Sequence, residues 1–193
     1  MNASNTRNSP TRLLIRCGSL VLPNLIARDQ CIFVQDGLIE EIASHLDAPA
    51  DAQIIDASSN IVMPGFIDTH VHGAMGADTM DATPEALHTM ARFYAQHGVT
   101  GFLPTTMTAT REEIDAAVES VARWQTSRVR LRAEETREVL AAVLGVHIEG
   151  PYVNPRQCGA QPPPIYAARR PYRIRQVVRH WRSAAYHACA GDG

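Results

Sequence analysis

The sequence predicts an α/β fold with a parallel sheet downstream of residue 62. Three strand-like segments, near residues 66–72, 99–103 and 143–149, are separated by two segments with the apolar spacing of helices. The run at 143–148 is almost continuously apolar, as is typical of a parallel strand covered on both faces. Strands and helices therefore alternate in repeats of roughly 40 residues, which favours a parallel α/β arrangement.

Residues 12–61 predict short strands joined by tight turns. Segments 13–15 and 20–22 are candidate strands around the turn residues Gly18 and Ser19. Segments 31–35 and 38–42 flank Asp36-Gly37, a strong signal for a two-residue hairpin. We expect this part of the chain to be structural and to carry no chemistry.

Each predicted helix has its own start signal. Thr83 is a good N-cap and Pro84 a good first-turn residue, while Gly98 suits the helix end. The apolar face of this helix consists of Leu87, Met90, Ala91 and Tyr94. In the second helix, Thr110 and Glu113 have the spacing of a capping box. Its apolar face consists of Ile114, Ala117, Val118 and Val121.

Two histidines with strand spacing are the first candidates for chemistry. His70 and His72 point to the same side of a strand because side chains alternate with a period of two. Two imidazoles on one rigid face make half of a divalent metal site. Glu149 ends the third predicted strand and could add a carboxylate oxygen, with His147 on the same face. The alternatives are that both rings hydrogen-bond within a polar pocket and that Glu149 is a capping or solvent-facing acid.

Composition excludes several other classes of function. The 18 basic residues are all Arg, and the net charge of −2 gives no reason to expect a nucleic-acid or membrane partner. Four scattered cysteines form neither a metal motif nor a disulfide framework. No apolar run reaches membrane-spanning length. We therefore expect a cytoplasmic, reduced protein.

Several motifs together resemble the amidohydrolase superfamily, and within it the N-acetylglucosamine-6-phosphate deacetylases. The Pro-Gly-Phe-Ile-Asp-x-His-x-His segment resembles the first barrel strand of the superfamily, and the His-x-Glu-Gly-Pro and Gly-Ala-Gln-Pro elements are more specific to the deacetylases. The resemblance covers roughly residues 12–164. Its segments are 64–72, 78–84, 98–106, 145–151, 154–155 and 159–163.

The resemblance implies the first three strands of a (β/α)8 barrel, preceded by part of a small β-sandwich that far C-terminal strands complete. It also implies metal-dependent hydrolysis of N-acetylglucosamine 6-phosphate, with one or two divalent ions, most commonly zinc. Glu149 matches the main metal ligand, and His70 and His72 match an additional pair found in members that hold a second metal. Ala160 and Gln161 match the residues that contact the sugar phosphate, although many members have His at the second position.

The resemblance further implies a general-base Asp and two more His ligands from later strands, and a homo-oligomer for full-length members.

The chain is expected to divide into three parts. Residues 1–61 belong to the sandwich, residues 62–164 belong to the barrel, and residues 165–193 form an Arg-rich tail that does not match the family pattern. A frameshift or a genuine extension would explain that tail. We expect an incomplete, inactive fragment. The alternatives are a dihydroorotase-like or deaminase-like amidohydrolase, and a non-catalytic binding remnant.

Overall fold

The computed structural model of the chain describes residues 12–131, 138–150, 156 and 158–161. The side chains of residues 128–131 are outside this description. The expected tail at 165–193 also lies outside the described residues. Contacts divide the chain into two compact units, Met1–Pro64 and Gly65–Gly193.

The first unit contains one four-stranded sheet. Its strands are β1 (Arg12–Val21), β2 (Ile26–Gln35), β3 (Leu38–Ala43) and β4 (Gln53–Val62), in the order β3-β2-β1-β4. The β1–β2 and β2–β3 pairs are antiparallel, whereas β4 runs parallel to β1. The predicted hairpin at Asp36-Gly37 is confirmed, and both residues have the positive φ angles that a tight primed turn requires. The described strands form a single layer, so the second layer of a sandwich stays a prediction.

The prediction of two short strands around Gly18 and Ser19 was wrong. Both segments belong to one continuous strand, β1, and its register against β4 shifts between Cys17 and Ser19. At Gly18 a β-carbon would lie 2.0 Å from the carbonyl oxygen of Ser58. Glycine is therefore present because β4 approaches closely at an irregularity, as glycines inside strands often indicate.

The second unit contains a three-stranded parallel sheet, as predicted. Its strands β5 (Phe66–Val71), β8 (Val99–Pro104) and β9 (Ala142–Val143) lie in the order β5-β8-β9. Between β5 and the first helix, the two-residue strands β6 (Gly73–Ala74) and β7 (Ala77–Asp78) form a small antiparallel ribbon. A 3₁₀ turn at Thr79–Asp81 follows.

Both predicted helices are confirmed with their start signals. The first, α1 (Pro84–Gln96), is capped by the Thr83 hydroxyl, which accepts a hydrogen bond from the backbone N–H of Ala86. The second, α2 (Arg111–Leu131), begins with the predicted Thr110–Glu113 capping box. The predicted apolar faces are buried: Leu87, Met90, Ala91 and Tyr94 in α1, and Ile114, Ala117, Val118 and Val121 in α2. In the described part of the chain, no helix is long and apolar enough to span a bilayer.

The third parallel strand is shorter than the sequence predicts. It ends at Val143 rather than at Glu149. Beyond this point the chain still follows β8, because the N–H of Leu144 donates to the carbonyl of Phe102 and that of His147 to the carbonyl of Pro104. Thr105 and His147 form an isolated parallel bridge. The apolar run therefore continues beside β8, but its strand pairing with β8 is interrupted.

Candidate metal centre

Parallel pairing brings the candidate ligands to one edge of the sheet. His70 lies in β5, His72 follows the end of that strand, and Glu149 lies beyond β9. Because the three strands are parallel, their carboxyl ends meet at the same edge, where barrel enzymes hold their active sites. The β6–β7 ribbon, the 3₁₀ turn, both helices and the strands β8 and β9 separate the histidines from Glu149 along the chain, and only the sheet brings them together.

The three side chains meet around the Glu149 carboxylate. Its Oε2 atom lies 3.1 Å from Nε2 of His72 and 3.4 Å from Nε2 of His70. One ligand atom from each of the three residues lies within 4.8 Å of the other two. The two imidazole rings are nearly perpendicular, with their centroids 5.1 Å apart.

The donor set fits a divalent cation. Glu149 Oε2 is buried and accepts no hydrogen bond, although two imidazole nitrogens lie close to it. A buried carboxylate oxygen without a hydrogen bond is costly, and a shared cation satisfies both the oxygen and the adjacent nitrogens. Two imidazoles and one carboxylate form a ligand combination typical of catalytic zinc sites.

Two side chains, those of Asp68 and Tyr94, hold the backbone of the histidine segment in place. Asp68 accepts a hydrogen bond from the backbone N–H of His70 at 3.1 Å, which is an orienting contact within the strand. Tyr94 donates its hydroxyl to the carbonyl of Gly73 at 2.8 Å, directly after His72. Burial, reinforced by the carboxylates of Asp68 and Asp78, raises the pKa of Tyr94, so its hydroxyl stays protonated and able to donate.

His147 lies beside the three candidate ligands. Its ring packs edge-on against His70, with 4.6 Å between the centroids, and its Nδ1 lies 3.0 Å from the carbonyl oxygen of Thr69. The His147 ring is therefore a neighbour that packs on a candidate ligand. His88 lies elsewhere, on α1, with its Nε2 3.1 Å from Oε1 of Glu138.

The two candidate substrate-contacting residues differ in burial. Ala160 is exposed, whereas Gln161 is buried. Gln161 Oε1 accepts the backbone N–H of Thr108 at 2.8 Å, and its Nε2 lies 3.7 Å from the Met107 sulfur. These contacts fix the segment at 158–161 to the loop between β8 and α2.

Sequence reasoning missed two residues next to this cluster, Thr105 and Thr106. Both are fully buried. The hydroxyl of Thr106 accepts the backbone N–H of Glu149 at 3.2 Å, and that of Thr105 accepts the N–H of Val71 at 3.0 Å. Thr105 and Thr106 end one segment of the family resemblance, residues 98–106, but the sequence does not show their role because that role depends on the neighbouring segments.

The known proteins that this chain resembles include amidohydrolases and sugar-phosphate deacetylases. The profile of the amidohydrolase family matches residues 61–182. An N-acetylglucosamine-6-phosphate deacetylase from Bacillus subtilis is 34% identical over 151 residues, which are 78% of this chain and 37% of that protein. An N-acetylgalactosamine-6-phosphate deacetylase from Escherichia coli O157:H7 is 35% identical over 138 residues, covering 72% of this chain and 33% of that protein.

A solved structure shares the fold. It is an N-acetyl-D-glucosamine-6-phosphate deacetylase variant from Mycobacterium smegmatis, in complex with N-acetyl-D-glucosamine 6-phosphate. The match has a TM-score of 0.67 at 23% identity and covers 91% of this chain and 41% of that one. The chain thus spans less than half the length of each protein named here.

Proposed function

The chain belongs to the amidohydrolase family, and we propose that it contributes a metal centre to a deacetylase acting on N-acetylglucosamine 6-phosphate. The reaction hydrolyses the acetamide bond and yields glucosamine 6-phosphate and acetate. The observation that carries the proposal is the convergence of His70, His72 and Glu149 at the carboxyl ends of parallel strands. The names of its relatives support the substrate class.

His70, His72 and Glu149 are the residues that would hold the metal. Zinc is the cation we favour, because two imidazoles and one carboxylate suit it. A divalent cation bound there supplies Lewis-acid polarisation of the acetamide carbonyl. The protein's own contribution is to hold the two imidazoles perpendicular and the carboxylate between them before substrate arrives, so that no reorganisation is needed during reaction.

Ala160 and Gln161 are our candidates for contacting the sugar phosphate. Gln161 is held by Thr108 in the loop after β8, and Thr106 in the same loop contacts Glu149. This arrangement links the candidate substrate segment to the metal centre through a short stretch of one loop. The general base is an Asp from a later strand in the family pattern, and we assign that role to no described residue. We also propose that β5, β8 and β9 are the first three strands of the family's barrel.

N-acetylgalactosamine 6-phosphate is a second candidate substrate. The relative from Escherichia coli carries that name and has the same level of identity to this chain as the Bacillus subtilis protein. The two sugars differ only in the configuration at C4, so a metal centre acting on the acetamide does not discriminate between them. Discrimination would depend on the residues around the sugar ring.

Acetate release tests the proposal most directly. A chimera would join residues 12–161 to the part of the Bacillus subtilis deacetylase that follows its matched segment, so that later strands are supplied. With zinc, we expect acetate release from N-acetylglucosamine 6-phosphate, lost in Glu149→Gln and retained in Glu119→Gln, an exposed residue on α2. A folded chimera that binds zinc but releases no acetate from either sugar phosphate would refute the proposed reaction.

A further inference from the structure

The Thr105-Thr106 dipeptide lies at the carboxyl end of β8, between the two segments that carry the candidate ligands. Both threonines are completely buried. Buried hydroxyls need hydrogen-bond partners, and here each hydroxyl contacts a different neighbouring segment. One segment contains His70 and His72, and the other contains Glu149.

Thr105 holds the histidine segment by two hydrogen bonds. Its backbone N–H donates to the carbonyl of Val71 at 2.7 Å, and its hydroxyl oxygen accepts the N–H of the same residue at 3.0 Å. The hydroxyl in turn donates to the carbonyl of Leu103 at 3.1 Å. Val71 lies between His70 and His72, so this pair of bonds fixes the peptide groups from which both imidazoles project.

Thr106 holds the glutamate segment in the same way. Its backbone N–H donates to the carbonyl of His147 at 3.0 Å, and its hydroxyl oxygen accepts the N–H of Glu149 at 3.2 Å. Regular strand pairing has already ended at Val143. Without the Thr106 hydroxyl, the backbone next to Glu149 would be held to β8 only through the hydrogen bonds of His147. The hydroxyl therefore takes the place of a backbone–backbone hydrogen bond between strands.

We propose that Thr105 and Thr106 are positioning residues that set the separation between the histidine pair and Glu149 in the metal centre. This inference rests on the proposed function, because it assumes that the three ligands bind a cation. Removing groups that orient metal ligands commonly weakens metal binding by roughly 10- to 100-fold. The two threonines act through backbone N–H groups of the ligand segments.

Thr89 provides a control away from the metal centre. It lies on α1, and its hydroxyl donates to the carbonyl of Glu85 at 2.9 Å within the helix. Thr→Val keeps the side-chain shape and removes only the hydroxyl. Thr89→Val therefore reports the effect of losing a threonine hydroxyl bond without loss of a bond to a ligand segment.

Zinc affinity of the 193-residue chain is the measurement that tests the inference. The probe is Zn²⁺ alone, measured by competition with a chromophoric chelator, and circular dichroism checks the fold of each variant. We expect Thr106→Val to weaken zinc binding by about tenfold or more. Thr106→Ser retains the hydroxyl and should preserve the wild-type affinity, and Thr89→Val should leave it unchanged.

The outcomes separate this inference from the proposed function. A folded Thr106→Val variant with wild-type zinc affinity would overturn it. A folded Thr106→Ser variant that loses zinc would also overturn the inference, because packing rather than the hydroxyl would then determine zinc affinity. The serine variant therefore keeps the test decisive if Thr106→Val does not fold. A wild-type chain that binds no zinc overturns both proposals. Zinc binding with the expected variant pattern, but without acetate release from the chimera, overturns only the deacetylase activity.

Discussion

Gly150, next to the candidate ligand Glu149, has a backbone conformation that favours glycine. Its φ angle is +78°, and a β-carbon would lie 2.1 Å from the Thr108 hydroxyl oxygen. Two separate costs therefore oppose any other residue at this position, namely backbone strain and a clash with a buried side chain. The clash would displace the chain directly beside Glu149.

We predict that Gly150→Ala destabilises the protein more than Gly98→Ala does. Gly98 has nearly the same φ angle, +79°, but a β-carbon added there would have no neighbour within 4 Å. Gly98→Ala should therefore lower the free energy of unfolding by only about 1–2 kcal/mol, the cost of left-handed backbone strain. Urea unfolding measures both free energies of unfolding. Equal losses in the two variants would show that the Thr108 contact is easily relieved.

The start of α2 depends on a reciprocal cap. The backbone N–H and the hydroxyl of Thr110 both donate to Glu113 Oε2, at 2.8 and 2.7 Å, and the N–H of Glu113 donates to the Thr110 hydroxyl oxygen at 3.3 Å. Hydrogen bonds from the Thr110 hydroxyl and backbone lower the pKa of Glu113 below its ordinary value. The carboxylate form is therefore favoured by the folded helix.

This cap predicts a specific pH dependence of stability. Because the folded-state pKa is lowered, the contribution of Glu113 is complete above the ordinary value of 4.5 and is lost as pH falls through the folded-state value. Glu113→Gln should therefore be less stable than wild type near neutral pH, with a difference that shrinks below pH 4.5. Thermal melts across this range measure the difference. Glu112→Gln removes the same charge from the same turn, and an equal pH-dependent loss there would contradict the assignment to the cap.

At the scale of the whole molecule, the first unit leaves much of its apolar surface uncovered. Strands β3 and β4 contribute several exposed aliphatic side chains, with Ile61 at 70% exposure. The others on these strands are Leu38, Ile39, Ile42, Ile54 and Ile55. These side chains lie on the two edge strands of the sheet, where exposed apolar side chains and unpaired strand edges both favour association.

We therefore predict that the chain self-associates in a concentration-dependent manner. Ile61→Lys should reduce association, because it removes apolar surface and adds charge on β4. Ser59→Lys adds the same charge to an exposed polar position on the same strand and should have a smaller effect. Sedimentation velocity compares the variants. A wild-type chain that remains monomeric across concentrations, with a cooperative melt, would contradict the prediction.

Local sequence signals determined most of the individual elements. The cap at Thr83, the Asp36-Gly37 turn and the apolar spacing of α1 each act within a few residues, so they could be read directly from the chain. The strand-spaced His70 and His72, followed much later by Glu149, also identified candidate ligands. The prediction of a turn at Gly18 was wrong, because this glycine lies within β1 and allows β4 to approach closely.

Only the tertiary structure decided which of these residues meet, because side chains separated by long stretches of chain are brought together by sheet pairing. The 3.1 Å approach of Glu149 to His72 follows from the parallel order β5-β8-β9. The contacts of Thr105 and Thr106 likewise depend on both neighbours of β8. Local sequence thus specified the elements and the candidate ligands, whereas long-range backbone hydrogen bonding fixed the geometry of the site.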